Sequence, residues 1–186
     1  MSLPGGFSWT DLVLVLLAFG GLALGYVQGL LRQVIGLAVL YIAVILGAQY
    51  YPYIGAFLRT IMFHAPSSRL FNVVSFAIIV GVVSTLLNWL ATDAYRSTKL
   101  KLLPVVDQVG GSLLGLVTMT VGATIGLAVI TFLVGEAWPN NDHIRLFIDL
   151  DLKMSRLVPV FESFKEPFLD AVKLWLPGSL PSIFNL

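Results

Sequence analysis

Cysteine is missing altogether, and charge is scarce: Lys, Arg, Asp and Glu together make up only 11% of the 186 residues. The first absence excludes disulfides, thiolate metal sites and cysteine nucleophiles. The second excludes an ordinary water-exposed globule, which carries charge on roughly a quarter of its residues. With 58% of residues hydrophobic, too little polar surface remains to cover a particle in water, so a bilayer must act as solvent. A basic excess is lacking as well. The net charge of +1 provides no footprint for nucleic acid, and the partner implied directly is the lipid bilayer.

Catalytic patterns are equally scarce. The chain has no GxSxG elbow, no HExxH pair and no GxxxxGK[ST] phosphate loop. His64 and His143 fall in polar connecting segments without metal-ligand spacing. No two acids share an apolar run, and Asp142, Asp149 and Asp151 read as solvated tail residues rather than a cation site. The expectation is a non-enzymatic protein with no catalytic, metal or cofactor-binding residues and no cofactor.

What is present is a series of long apolar runs bounded by charges. They predict an all-α membrane protein of about four transmembrane helices, at about 9–27, 34–51, 70–92 and 108–134. These make up a helical membrane domain over residues 1–139, followed by an amphipathic interfacial tail over 140–186. The first run has no Lys or Arg among its opening eleven residues, so it reads as a retained helix rather than a leader. Uncharged from Leu12 to Val27, it is short for a span, with Phe7 and Trp9 positioned to anchor it at headgroup level. In the second run, Pro52 among Tyr50, Tyr51 and Tyr53 predicts a helix stop, with a short interfacial helix over Tyr53–Phe63 beyond it.

The tail carries helical periodicity. Phe161, Phe164, Phe168, Val172 and Trp175 fall on one face, and Glu162, Glu166, Asp170 and Lys173 on the other. Pro167 predicts a break, with itself in the first turn of a final helix. Such a segment lies on the membrane or packs against the bundle. Arg32, Arg96, Lys99 and Lys101 gather on one side of the spans, against Arg59, Arg69 and Arg145 on the other. The denser group points to the cytoplasm, which puts both termini outside it.

Each span carries small residues at helical spacing: Gly21, Gly25 and Gly29; Gly36, Ala43 and Gly47; Ala77, Gly81 and Thr85; Gly111, Gly115, Thr118, Gly122 and Gly126. Lipid tails are as apolar as leucine, so close backbone approach, which small residues permit, drives association in a bilayer. Helix packing is the leading reading of these stripes, and a backbone-lined path the alternative. A homo-oligomer is compatible with either.

Polar groups within or beside the spans are costly and therefore informative. Arg32 lies between the first two spans, Asn88 near the end of the third, and Asp107 at the opening of the fourth. For Arg32 the bland role is snorkelling to lipid phosphates; for Asn88, an interhelical hydrogen bond; for Asp107, a cap on its own helix. The sharper expectation is an Arg32–Asp107 ion pair. Thr120, Thr124 and Thr131 either line a polar path or bond to their own helix carbonyls.

Two segments carry a family resemblance. Asp11 through a short span into Gly29-Leu30-Leu31-Arg32, followed at once by a second span, resembles the start of the CvpA family (colicin V production protein). Val106-Asp107-Gln108-Val109-Gly110-Gly111-Ser112-Leu113-Leu114-Gly115 is similar to that family's segment before its fourth span, with Asp107, Gly111 and Gly115 matching. Gln108 stands where the family usually has Arg, and Thr118 where a basic residue is common. The resemblance covers about residues 9–135, with a looser match around Ser155. It implies a bacterial inner-membrane protein involved in colicin V production or toxin export and envelope homeostasis, acting through envelope or secretion partner proteins. A small channel or transporter with a re-entrant or broken first helix is the alternative. The residues singled out for packing or function are Arg32, Asn88, Asp107, Gly25, Gly29, Gly111 and Gly115.

Overall fold

The computed structural model describes residues 8–61, 68–94, 104–136, 138, 141–176 and 184. Phe7, His64, the Arg96–Lys101 loop and Pro139 lie outside the described residues. Those described form an all-α protein: α1 (Trp9–Gln28), α2 (Leu30–Ile61), α3 (Ser68–Ala94), α4 (Pro104–Val134), α5 (Asp142–Met154), α6 (Val158–Glu162) and α7 (Lys165–Lys173). The first four are long and apolar enough to cross a membrane.

Sequence chemistry accounts for the ends of these helices. Ser8 caps α1, its Oγ accepting from Asp11 N while Asp11 Oδ2 accepts from Ser8 N, a reciprocal capping box. Starting at Trp9 gives α1 20 residues, or about 30 Å, so the short first run reaches spanning length. Pro104 opens α4 at its first position, where a missing N–H costs nothing. At the far end of α4, three carbonyls left without intrahelical partners find donors. Arg69 Nη1 reaches Phe132 O at 3.3 Å, Trp138 Nε1 reaches Leu133 O at 3.2 Å, and Arg145 Nη1 reaches Val134 O at 3.3 Å. Two of these donors are cations, which the negative end of the helix dipole favours.

Helix α4 is central, packing on α1 along one side and on α2 along another, while α2 pairs with α3. The larger core joins Val44, Ala48 and Tyr51 of α2 to Phe76 and Ile79 of α3 and Ile125, Ala128 and Phe132 of α4. Leu169 of α7 and Phe184 belong to the same cluster. A smaller one joins Leu14 of α1, Ala123 and Leu127 of α4, and Val158 and Phe161 of α6. The tail is therefore packed against the bundle. Tyr41 Oη donates to Ala171 O at 2.6 Å, and Thr124 Oγ1 to Phe161 O at 3.1 Å.

Three local expectations change. Helix α2 does not stop at Pro52 but runs through it to Ile61. Tyr51 is buried just before the proline, and Gly55 fits against Asn72 of α3 just after it. Packing on both sides of Pro52 outweighs the one hydrogen bond it forfeits. The tail's apolar face is also re-phased. Phe161 and Val172 are buried, but Phe164 and Trp175 are exposed and Leu169 takes an inward position. A break between α6 and α7 around Ser163–Phe164 resets the helical phase, with Pro167 in the first turn of α7 as its ring requires. On α3, Ala77, Gly81 and Thr85 face outward, because the large residues Phe76 and Val80 pack on Gly47 of α2 instead.

Outside the spans, the Asp142 carboxyl in the first turn of α5 sits below its ordinary range. The causes are a hydrogen bond from Arg145 and a second from the Trp138 N–H. Its stabilising effect is present above the usual aspartate range and fades as pH falls through the lowered value. The group is exposed, so the effect on the fold is slight.

Candidate functional site

Near the start of α4 the α1–α4 contact is made by glycine backbone. A Cβ on Gly25 would run into the carbonyl of Gly111, one on Gly111 into the carbonyl of Gly25, and one on Gly115 into that of Gly21. Gly25, Gly29, Gly111 and Gly115 therefore sit in one seam. Gly29 ends the seam at φ 82, a conformation L side chains rarely adopt. A Cβ there would also strike the Asp107 carboxylate.

Asp107 stands in the first turn of α4, yet its hydrogen bond goes to another helix: its Oδ1 accepts from Leu30 N at 2.9 Å, placing the carboxylate at the N-terminus of α2. The positive end of the α2 dipole thus balances its charge. Arg32 and Asp107, both described, form no ion pair with each other. Asp107→Ala should cost about 1 kcal/mol, as lost helix caps do. A double-mutant cycle with Arg32→Ala in detergent melts should be additive; a coupling above about 0.5 kcal/mol would restore the ion pair.

Arg32 and Asn88 are brought together elsewhere, in a partly open cavity of about 340 Å³ lined by all four spans. Its polar lining is Gln28, Arg32, Gln33, Asn88 and Thr118, and glycines of three helices line it as well. From Gln28 at the end of α1 it reaches in to Gly21, seven residues or roughly 10 Å deep. Several polar groups satisfy one another or their own helix. Gln33 Nε2 donates to Gln28 Oε1 at 3.3 Å, Asn88 Nδ2 to Ser84 O at 2.9 Å, and Thr118 Oγ1 to Leu114 O at 2.8 Å. Arg32 lines the cavity, is exposed and makes no hydrogen bond or ion pair with a described residue. Thr124 takes the second of its expected uses, its Oγ1 lying 2.9 Å from Thr120 O of its own helix, and it also meets the tail at Phe161 O.

At the opposite end of the bundle Asp11 and Asp151 take roles their local sequence does not announce, and Asp151 is a tertiary cap rather than a solvated tail residue. Asp11 is 1% exposed, and beyond its capping box it accepts from Ser155 Oγ at 2.5 Å, Arg156 N at 3.1 Å and Leu157 N at 3.0 Å. Asp151 of α5 reciprocates, accepting from Trp9 N at 3.1 Å and from Thr10 N and Oγ1 at 2.8 and 2.7 Å. Each carboxylate caps a helix start supplied by the other segment. Ser8-x-x-Asp11 is a capping-box signature legible in sequence; its second role, across more than 140 residues, is not.

Chemically, the described residues hold no group of three or more acids or histidines able to bind a metal ion. The carboxylates of Asp11 and Asp107 are committed to backbone N–H groups. What remains is a polar, cation-bearing cavity inside an apolar four-span bundle, which defines a multi-pass helical membrane protein. The family model described as colicin V production protein matches residues 10–166. The chain belongs to that family, and the match reaches past α4 into the tail. Comparison with curated proteins and with solved structures returns no match.

Proposed function

We propose that the protein works in the bacterial inner membrane, in colicin V or other toxin production or export and in envelope homeostasis, by holding partner proteins rather than by catalysis. The observation that carries this reading is the family match over residues 10–166. The commitment of Asp11 and Asp107 to helix caps supports it, since general acid–base work needs a carboxylate free to exchange its proton. The outward Ala77–Gly81–Thr85 face of α3 is of the kind on which a second membrane helix, from a partner or another copy, packs closely. A bacterium lacking this chain should lose toxin release or envelope resistance and regain it with the wild-type chain. Gly81, with open space beside it, tests the partner contact. Gly81→Leu should reach the membrane at normal levels yet co-purify less of any partner. An unimpaired deletion strain would contradict the role.

Orientation follows the basic residues: the α1–α2 and α3–α4 connections face the cytoplasm, and both termini lie outside it. Trp9 and Asp151 meet at one end, as that arrangement requires. On this cysteine-free chain, an impermeant maleimide should label Lys153→Cys in spheroplasts but spare Val105→Cys; the reverse pattern would invert the topology.

The polar cavity favours a second reading, a channel or transporter. Its other motive, a broken first helix, is not found, since α1 is continuous from Trp9 to Gln28. Solute flux in proteoliposomes no greater than in empty vesicles would remove this reading.

A further inference from the structure

We propose that the cavity between the four spans is a binding site for a phosphate-bearing anion, held by Arg32. This inference stands apart from the identity of any protein partner. The cavity carries the Arg32 guanidinium and no acid in its lining. The nearby acid, Asp107, is turned to the N-terminus of α2. Arg32 has no protein counter-charge among the described residues. A guanidinium presents five N–H donors in a planar fork that matches phosphate oxygens bidentately. Around it, the Gln28 amide accepts through its oxygen from Gln33, which leaves its own N–H groups to donate. The donors therefore outnumber the acceptors on offer, as a site for an anion requires.

Size and depth set the class of ligand further. About 340 Å³ holds a phosphate with a small polar group attached, but not a pair of acyl chains. The cavity starts at the end of α1, at the headgroup level of the membrane, and descends roughly 10 Å beside Leu24 and Met119. A lipid headgroup and free phosphate both satisfy this chemistry. Gly36 keeps the space open: a Cβ there would meet nothing within 4 Å, so a larger side chain fills the cavity without displacing a neighbour.

The test uses the full-length protein in mild detergent, titrated with phosphatidylglycerol, with phosphatidylcholine and with inorganic phosphate. Bound lipid is counted by native mass spectrometry and phosphate by equilibrium dialysis. Saturable binding of phosphatidylglycerol at one site, at least tenfold tighter than phosphatidylcholine, assigns the site to an anionic lipid headgroup. Saturable binding of inorganic phosphate assigns it to free phosphate. In either case Arg32→Gln should weaken binding by tenfold or more, and Arg32→Lys by less. Gly36→Leu should abolish it by filling the cavity, which keeps the test decisive if the Arg32 variants fail to fold. Gly20→Leu, at a glycine with open space outside the cavity, should bind as wild type. No saturable binding of either anion, or binding unchanged in both Arg32→Gln and Gly36→Leu, overturns the proposal.

Discussion

Gly25→Leu should leave little folded protein extractable in mild detergent, while Gly20→Leu one turn away extracts and melts like wild type. The difference lies in what each new side chain meets. At Gly25 a single Cβ already collides with the carbonyl of Gly111 and approaches Ser112 Cα to 2.9 Å, whereas at Gly20 nothing stands within 4 Å. The obstacle at Gly25 is backbone of α4, which cannot rotate away as a side chain tip does. Relief demands that α1 and α4 separate along the seam. Overpacked cores typically lose about 1–3 kcal/mol, and backbone against backbone belongs at or beyond the top of that range. Gly111→Leu should reproduce the loss from the other side. The readout is the monodisperse fraction on size exclusion together with the melting midpoint; equal behaviour of Gly25→Leu and Gly20→Leu would remove the seam.

Asp11→Ala should release the tail. The substitution takes an acceptor from Ser155 Oγ, from the N–H groups of Arg156 and Leu157, and from Ser8 N at the start of α1. Ser8 and Ser155 are themselves buried, so these groups do not simply turn to water. Each buried donor left unsatisfied costs about 1–3 kcal/mol, and the sum is on the order of 3 kcal/mol or more. The spans keep their own packing, so the loss concentrates at the junction of α5 and α6. Limited proteolysis should cut within residues 154–158 in Asp11→Ala and spare them in the wild type. Asp151→Ala should loosen the same end less, because its partners Trp9 and Thr10 are more exposed than Ser8 and Ser155.

These two sites differ in how far they could be read beforehand. The glycine seam is legible because its cause is local: Gly25, Gly29, Gly111 and Gly115 recur at helical spacing, and inside a bilayer small faces meet. The four spans are legible for the same kind of reason, since hydrocarbon thickness fixes their length. Asp11 is not, because nothing near it in sequence announces Ser155. A carboxylate three residues into a helix reads as a cap, and that role is real but only half of its bonding. Pro52 misleads in the opposite way. Its local rule predicts a stop, and contacts with α3 on both sides override it. In the tail, periodicity is correct within each short helix but cannot be carried across the break at Ser163–Phe164, so Leu169 replaces Phe164 as a buried position. For Arg32 and Asp107, charge complementarity alone could not show that the backbone N–H of Leu30 would take the carboxylate first.

The seam, the cavity and the tail clamp all depend on α1 crossing the membrane beside α4. Single cysteines at Trp9 and Val27, exposed at the two ends of α1, measure this most directly on a chain with no cysteine of its own. An impermeant thiol reagent, applied to spheroplasts and then to inside-out vesicles, should label Trp9→Cys from one side and Val27→Cys from the other. Labelling of both positions from the same side would make α1 a re-entrant segment and contradict the four-span bundle.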